Sequence, residues 1–530
     1  MKTIALVMAD LDRDALGAPC TLGADLAAGK PVLRCTLERV SRIADLAGIV
    51  LAGPAPHEGR LRELAGPVRL LAVLRTKESS SRRIMRSARA FGRYGWRGGL
   101  GGTTVFDETY DPAAAMEVLE QTGAEALLLV AGGAALLDVG WAEAMLKLLR
   151  EGEGRQPLSF CQAPPGLAGL AIGATTLRGL VAGRQYPGRL LSYRPGGPVA
   201  DAIHQGFNVP LPDALIATYR RFAADSPRGL WLCGQIVERA GADVDGAAAC
   251  RIAQSLGAEP WPRELTIELT CRRPLEDDLR PPGDRPDLPV ESLAGLLAGL
   301  DEPGDVNIMF GGAGDALLHP HWQAAAAAAV KVGVVGVTTY GTGLDDSTIA
   351  ALLDSPVSIV QVNVDAVGEP AYAAFKRGGS AAQVWAAIER LFERGRAAGR
   401  EDLMVVPAML KTPQTLEEQD EFFERSLKTT GWGLFIEPST AAGQWPDRAV
   451  VHMAPPRRSA CRRLETRLTV LSDGTITACE EDIHAVRPLG KGSILEAWRA
   501  GALAGLRRLH EDRQWDQDAL CGKCEEFHRA

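Results

Sequence analysis

The sequence predicts an α/β protein, with two domains of alternating strands and helices followed by a small extension built on other lines. Three observations carry that prediction. Short apolar runs alternate with helical patterns through residues 1–220, the alternation restarts at 263 and continues through six strand candidates to 455, and residues 456–530 abandon it. At 530 residues the chain has room for two or three domains, each with its own core.

In the first domain the runs "KTIALVM", "GIVLAGP", "VRLLAVL" and "EALLLVAGG" read as buried strands of a doubly wound, mostly parallel sheet, with helices such as "CTLERVSRIADL" between them. Residues 221–262 read as a linker region with one helical pattern, "VDGAAACRIAQSL", closed by Pro260 and Pro262. From 263 to 455 the strand candidates are "ELTIELT", "VNIMFGG", "VVGVTT", "VSIVQVNV", "LMVVPAM" and "LFIEP". Each of the first five precedes a helical stretch such as "PVESLAGLLAGL" or "SAAQVWAAIERLFERG". Six such units suggest a partial parallel (β/α)6 barrel or an open doubly wound sheet, with function at the C-terminal ends of the strands.

In residues 456–530, "RLTVLSDGTITACEED" predicts a hairpin, because Asp473-Gly474 between two β-branched runs is a two-residue turn signal. "GSILEAWRAGALAGLRRLHED" predicts a helix, with Ser493 and Glu496 as a capping box ahead of Leu495, Trp498 and Leu506.

Composition excludes several classes. Hydrophobic residues make 46% and charged residues 23% of the chain, the balance of a soluble globular protein. With 58 basic and 66 acidic residues the net charge is -8, so no electrostatic footprint for nucleic acid is present. The leading apolar run meets Asp10, Asp12 and Asp14, which does not suit a signal peptide, and "AAAAAAVKVGVVGV" is interrupted by Lys331 too early to span a bilayer. A cytoplasmic protein without membrane partners is expected.

In a reducing compartment ten cysteines point to metal or redox chemistry rather than disulfides. Cys20, Cys35, Cys161, Cys233 and Cys250 sit in apolar surroundings and suit small core positions. Cys461, Cys479, Cys521 and Cys524 do not, since "CGKC" lies in a polar segment. Their order is C-x17-C, forty-one residues, then C-x2-C, and four thiolates suit either a tetrahedral zinc or a cubane iron–sulfur cluster.

The stretch "ACRRLETRLTVLSDGTITACEED", then "LGKGSILEAWRAGALAGLRRLHE", then "CGKC" resembles the SPASM domain, the auxiliary iron–sulfur extension of many radical S-adenosylmethionine (SAM) enzymes. The resemblance implies that Cys461, Cys479, Cys521 and Cys524 hold one auxiliary [4Fe-4S] cluster, with zinc as the alternative. It extends upstream. "FGGAGDALLHPHW", "VTTYGTGLDD", "VQVNVDAVGEPAYAAF" and "LFIEPSTAAGQWPDR" are similar to successive strand ends of the radical SAM barrel.

The chemistry-bearing positions depart from that family. Its triplet of cluster cysteines, Cys-x3-Cys-x2-Cys after the first barrel strand, falls on Arg273, Asp277 and Arg280 of "ELTCRRPLEDDLR", with Cys271 alone nearby. The SAM-binding residues implied are Gly312, Gly314 and Asp315, where Gly-Ala-Gly-Asp replaces Gly-x-Gly-Glu. A glycine turn between strand and helix also has an ordinary structural explanation. His319 reads as a packed loop residue.

Residues 1–215 resemble nucleotidyltransferases that activate sugars with CTP, through "AAGKPVLRCTLERV" and "LLLVAGGAALLDVGWAEAML". Here too the chemistry is depleted. The phosphate-cradling loop is reduced to Gly17, and the metal-binding aspartate falls on Gly133, with no carboxylate in "VAGGAALLD" before Asp138. Lys30 could meet an anion or simply be a solvated surface lysine.

This combination resembles the proteins called spiro-SPASM, which names an architecture without a reaction. It implies an iron–sulfur protein lacking the radical-generating triplet, acting in binding or electron transfer with a protein or peptide partner, and no catalytic residues can be assigned. A SAM- or nucleotide-dependent enzyme with a site elsewhere, and a zinc-stabilised scaffold, are the alternatives.

Overall fold

Burial is continuous along the first strand, Thr3–Met8 (β1), which needs cover on both faces. Ile4 and Leu6 pack with Val50, Ala52, Leu127 and Leu129 on one side. Ala5 and Val7 pack with Ile49, Leu51, Leu128 and Val130 on the other. The computed structural model describes residues 1–530 apart from 78–79, 153–155, 193–200, 202, 204–205 and 530, and the chain falls into two compact units, Met1–Gly257 and Ala258–Ala530.

In the first unit β1 is joined by Leu46–Pro54 (β2), Ala72–Thr76 (β3), Ala126–Ala131 (β4), Leu158–Cys161 (β5), Leu170–Gly173 (β6) and Asn208–Val209 (β7) in the order β3-β2-β1-β4-β6-β5-β7. The four strands expected from sequence are parallel. The sheet as a whole is mixed, because β6 runs antiparallel to both β4 and β5. Those later strands are short and lie in a glycine- and proline-rich stretch whose pattern does not announce them.

Residues 221–262, expected as linker, contain the helices Pro227–Ala240 and Gly246–Ser255. Leu232, Cys233, Ile236, Ala249, Cys250 and Ala253 lie in the first unit's core. The apolar faces of these helices are what draw the segment in.

In the second unit the six expected strands are Glu264–Ile267 (β8), Val306–Phe310 (β9), Gly333–Thr339 (β10), Ile359–Asn363 (β11), Met404–Leu410 (β12) and Leu434–Ile436 (β13). They lie side by side in chain order and every neighbouring pair is parallel. The hairpin Arg467–Val470 (β14) and Thr475–Thr477 (β15) is not a separate element. β14 pairs in parallel with the free edge of β8, and with Gly490–Lys491 (β16) the result is a nine-stranded mixed sheet, β13-β12-β11-β10-β9-β8-β14-β15-β16.

The hairpin turn differs from the two-residue form. Leu471 N–H reaches the Thr475 carbonyl at 2.8 Å, closing a three-residue loop, and Gly474 takes φ +82°, the left-handed position such a loop requires. The helix after it is two helices, Ile494–Arg499 and Gly501–Glu511, broken where Ala500 turns extended at ψ 147°. The Ser493 hydroxyl accepts the Glu496 N–H at 3.2 Å and caps the first of them.

Leu468 of β14 is fully buried. Leu468→Ala should cost about 2 to 5 kcal/mol through lost packing and the cavity left behind. Urea unfolding followed by tryptophan fluorescence should show a lowered midpoint.

Candidate functional site

Four sequence-distant thiols surround one cavity at the C-terminal end of the chain. Cys461 precedes the short turn Arg462–Glu465, Cys479 lies just past β15, and Cys521 and Cys524 lie in and after the turn Cys521–Lys523. All four line a cavity shared with Arg458, Arg463, Leu506, His510 and Phe527. The hairpin delivers Cys479. Helix Gly501–Glu511 buries Leu503, Leu506 and His510, one face at helical spacing, and two of these three reach the cavity.

The polar groups around the thiols are arranged in detail. The Cys461 N–H donates to His510 Nδ1 at 3.1 Å, and the Glu526 N–H donates to Cys524 Sγ at 3.3 Å. Arg458 donates to the Cys521 carbonyl and rests over the rings of Trp515 and Phe527, at 5.1 and 5.0 Å. Arg463 is held by Glu481 at 2.6 Å, Glu480 at 3.4 Å and Glu526 at 3.5 Å.

Burial pushes the Cys521 thiol up to about 11 and the Cys524 thiol up to about 12. Burial, then Glu480 and Glu481, holds Cys479 well above the ordinary range. Such thiols ligate only when a cation's charge offsets their burial. Among the described residues no three of these sulfurs lie within 4.8 Å of one another. Thiolates drawn around one zinc would sit about 3.8 Å apart, whereas those of a cubane spread to on the order of 6 Å.

The mouth of the parallel sheet is filled by ion pairs. Arg273 donates to the carbonyls of Ala313 at 2.6 Å, Asp277 at 3.5 Å and Arg280 at 3.3 Å, and also to that of Pro281. Arg280 grips both oxygens of Asp365, at 2.6 and 2.8 Å, and also reaches Asp277 at 3.2 Å. Lys376, fully buried, meets the same Asp365 at 2.6 Å. Burial alone would raise the Asp365 carboxyl. Arg280 and Lys376 override it and hold the group below the ordinary carboxylate range.

Beside this clamp, Glu268 at the end of β8 accepts from Arg285 at 2.9 and 3.1 Å, from the Ala313 N–H at 2.8 Å and from both the N–H and hydroxyl of Ser472. Cys271 Sγ also lies 3.2 Å from it. Gly312 takes φ +114°, and a Cβ there would meet Glu268, while one on Gly314 would meet the Thr270 carbonyl at 2.3 Å. The Asp315 carboxylate is committed to the loop, accepting from the Thr339 hydroxyl at 2.8 Å, the Tyr340 N–H at 2.9 Å and the Leu317 N–H at 3.0 Å. His319 is packed, its Nε2 3.0 Å from the Leu288 carbonyl. No cysteine other than Cys271 stands in this loop, and the donor set there does not suit an iron–sulfur cluster.

In the first unit, a crevice at the ends of β1 and β4 is lined by Asp10, Asp14, Glu108, Gly133 and Asp225. A Cβ on Gly133 would meet the Asp225 backbone N and Cβ, both at 2.7 Å. A carboxylate-bearing residue thus stands against Gly133 from ninety-two positions away, which no local motif announces. Buried pairs fill the floor, Glu108 with Arg89 at 2.9 Å and Arg221 at 2.7 Å, and Asp225 with Arg221 at 3.5 Å. Gly17 takes φ +89° with Arg86 packed against it, and Lys30 pairs with Glu38 at 2.8 Å on the surface. Asp10, Asp12 and His57 bring ligand atoms within 4.8 Å of one another, with Asp10 also held by Arg82.

Residues missed by sequence reasoning are Glu268, Asp365, Lys376, Asp225, Arg458 and His510. His510 alone had a visible signal, since it continues the Leu503 and Leu506 spacing with a polar group.

The profile of the Radical SAM superfamily matches residues 270–424, so the chain carries a radical SAM domain there. An uncharacterised protein of Treponema pallidum (strain Nichols) is 26% identical over 128 residues, 23% of this chain, and the chain spans about a third, 34%, of that protein's length. Among solved structures, BtrN in complex with AdoMet and 2-DOIA is 13% identical, with 50% of this chain and 93% of that chain covered at a TM-score of 0.35. SuiB of Streptococcus suis bound to the precursor peptide SuiA is 14% identical over 53% and 73%, at 0.40. A cytidylyltransferase of Leptospira borgpetersenii serovar Hardjo-bovis (strain JB197) is 11% identical over 48% and 94%, at 0.33. No helix among the described residues is long and apolar enough to cross a membrane.

Asp365→Asn should leave Lys376 buried without its counter-charge and Arg280 with Asp277 alone, and cost about 3 to 5 kcal/mol. Because its folded-state pKa is depressed, Asp365 contributes stability that is present above the ordinary carboxylate range and lost as pH falls through and below it. Urea midpoints measured between about pH 3 and 7 should show the gap between wild type and variant beginning to narrow at the acid end.

Proposed function

We propose that this chain is an iron–sulfur protein of the radical SAM/SPASM type, of spiro-SPASM architecture, whose residues 456–530 hold one auxiliary [4Fe-4S] cluster on Cys461, Cys479, Cys521 and Cys524. The observation that carries the reading is the shared cavity of these four thiols, the first and last of them sixty-three positions apart. The backbone N–H aimed at Cys524 Sγ supports a ligand role for that sulfur. When bound, such a cluster supplies one-electron chemistry.

Arg273, Asp277 and Arg280 take the places of the radical-generating cysteines. Arg280 pairs with Asp277 and Asp365, Asp365 with Lys376, and Arg273 with backbone carbonyls, so ion pairs and hydrogen bonds do the holding that iron does in active relatives. The barrel is then a scaffold, and the protein works in electron transfer or in binding a protein or peptide partner beside the cluster. The front unit, its crevice filled by ion pairs, binds or positions without transferring a nucleotidyl group.

Protein purified without oxygen should contain about four iron and four sulfide per chain, and Cys479→Ala should lose most of both. Stoichiometric zinc with no iron would replace this reading with that of a zinc scaffold. Reduced protein incubated with SAM should release no 5'-deoxyadenosine above background, and release of one equivalent per chain would show an active barrel.

A further inference from the structure

The cysteine cavity has polar atoms of one kind left over. Three buried side-chain nitrogens lining it lack a hydrogen-bond partner: Nε of Arg458, Nε of Arg463 and Nε2 of His510. All three are donors, and a buried donor without an acceptor costs about 1 to 3 kcal/mol. A cavity that keeps three of them is built for an occupant rich in acceptors.

His510 is the most informative of the three. A backbone N–H can only donate, so the Cys461 amide at 3.1 Å requires Nδ1 to be unprotonated, and the ring hydrogen resides on Nε2. An Nε2 that carries a hydrogen offers no lone pair to a metal. The ring is 3% exposed and fixed by that bond and by Trp515, whose ring centre lies 6.1 Å away. His510 therefore cannot serve as a fifth ligand in this arrangement, and it can donate to sulfur.

We infer that His510 is a positioning residue for the C-terminal cluster, holding Cys461 through Nδ1 and donating its Nε2–H to a cluster sulfur or ligand thiolate. This rests on the iron–sulfur reading above. Hydrogen bonds to sulfur stabilise the more negative, reduced cluster and raise its potential. His510 on this view sets how readily the protein accepts an electron.

The test uses full-length protein reconstituted without oxygen, with iron counted before any redox measurement. His510→Gln retains both functions, since its amide oxygen can accept from Cys461 while its nitrogen donates. His510→Leu removes both. With equal iron in all three proteins, redox titration followed by electron paramagnetic resonance should show His510→Leu about tenfold harder to reduce, 59 mV lower for one electron, and His510→Gln close to wild type. Equal potentials in all three overturn the inference.

If His510→Leu fails to load, pulsed resonance on reduced wild type labelled with ¹⁵N-histidine decides. A weak coupling to one imidazole nitrogen supports the donor role. Absence of coupling, or the strong coupling of a directly ligated nitrogen, overturns it. Wild type that takes zinc and no iron overturns both this inference and the iron–sulfur reading, whereas iron loading with unchanged potentials overturns this one alone.

Discussion

A buried carboxylate needs several donors, and Glu268 draws its donors from parts of the second unit remote from one another in sequence. Arg285 supplies two, the loop after β9 supplies the Ala313 N–H, and the hairpin turn supplies the Ser472 N–H and hydroxyl. Leaving such a group unpaired costs several kcal/mol. The first strand, the glycine loop and the hairpin must therefore meet at one point. That convergence fixes β14 against β8 and, through the chain that follows β15, sets where Cys479 falls.

The neighbouring Asp365 clamp works by the same logic. Arg280 and Lys376 share one carboxylate because the strand-end loop after β11 turns Asp365 inward at φ 59°, an uncommon conformation for a non-glycine residue. The loop is held by salt bridges and by Arg273 on backbone carbonyls. The same end of the chain shows the contrast, since four thiols there meet in one cavity with unpaired donors around them. One locus is electrostatically closed and the other is open to an occupant.

Much of this was legible in local pattern. The six parallel strands of the second unit stood out because parallel strands buried on both faces are continuous apolar runs. The cysteine quartet stood out because its residues sit in polar surroundings. Strands β5 to β7 did not stand out, being four residues or fewer among glycines and prolines. The break at Ala500 was nearly as silent, its one local signal being Gly501 immediately after it. Asp225 could not be foreseen against Gly133, because the contact spans ninety-two positions and no local pattern links them.

Sequence by itself determined the elements and the chemistry on offer: which runs become strands, which cysteines are candidate ligands, and that Arg273, Asp277 and Arg280 stand after β8. Those are properties of residue type and near-neighbour periodicity, which act over a few positions. Only the tertiary structure decided which charges pair, that the hairpin extends the second unit's parallel sheet, and that His510 turns one nitrogen to Cys461 and keeps the other unpartnered. Each of these depends on desolvating a polar group against a partner tens or hundreds of positions away, and that cost exists only once the chain has folded.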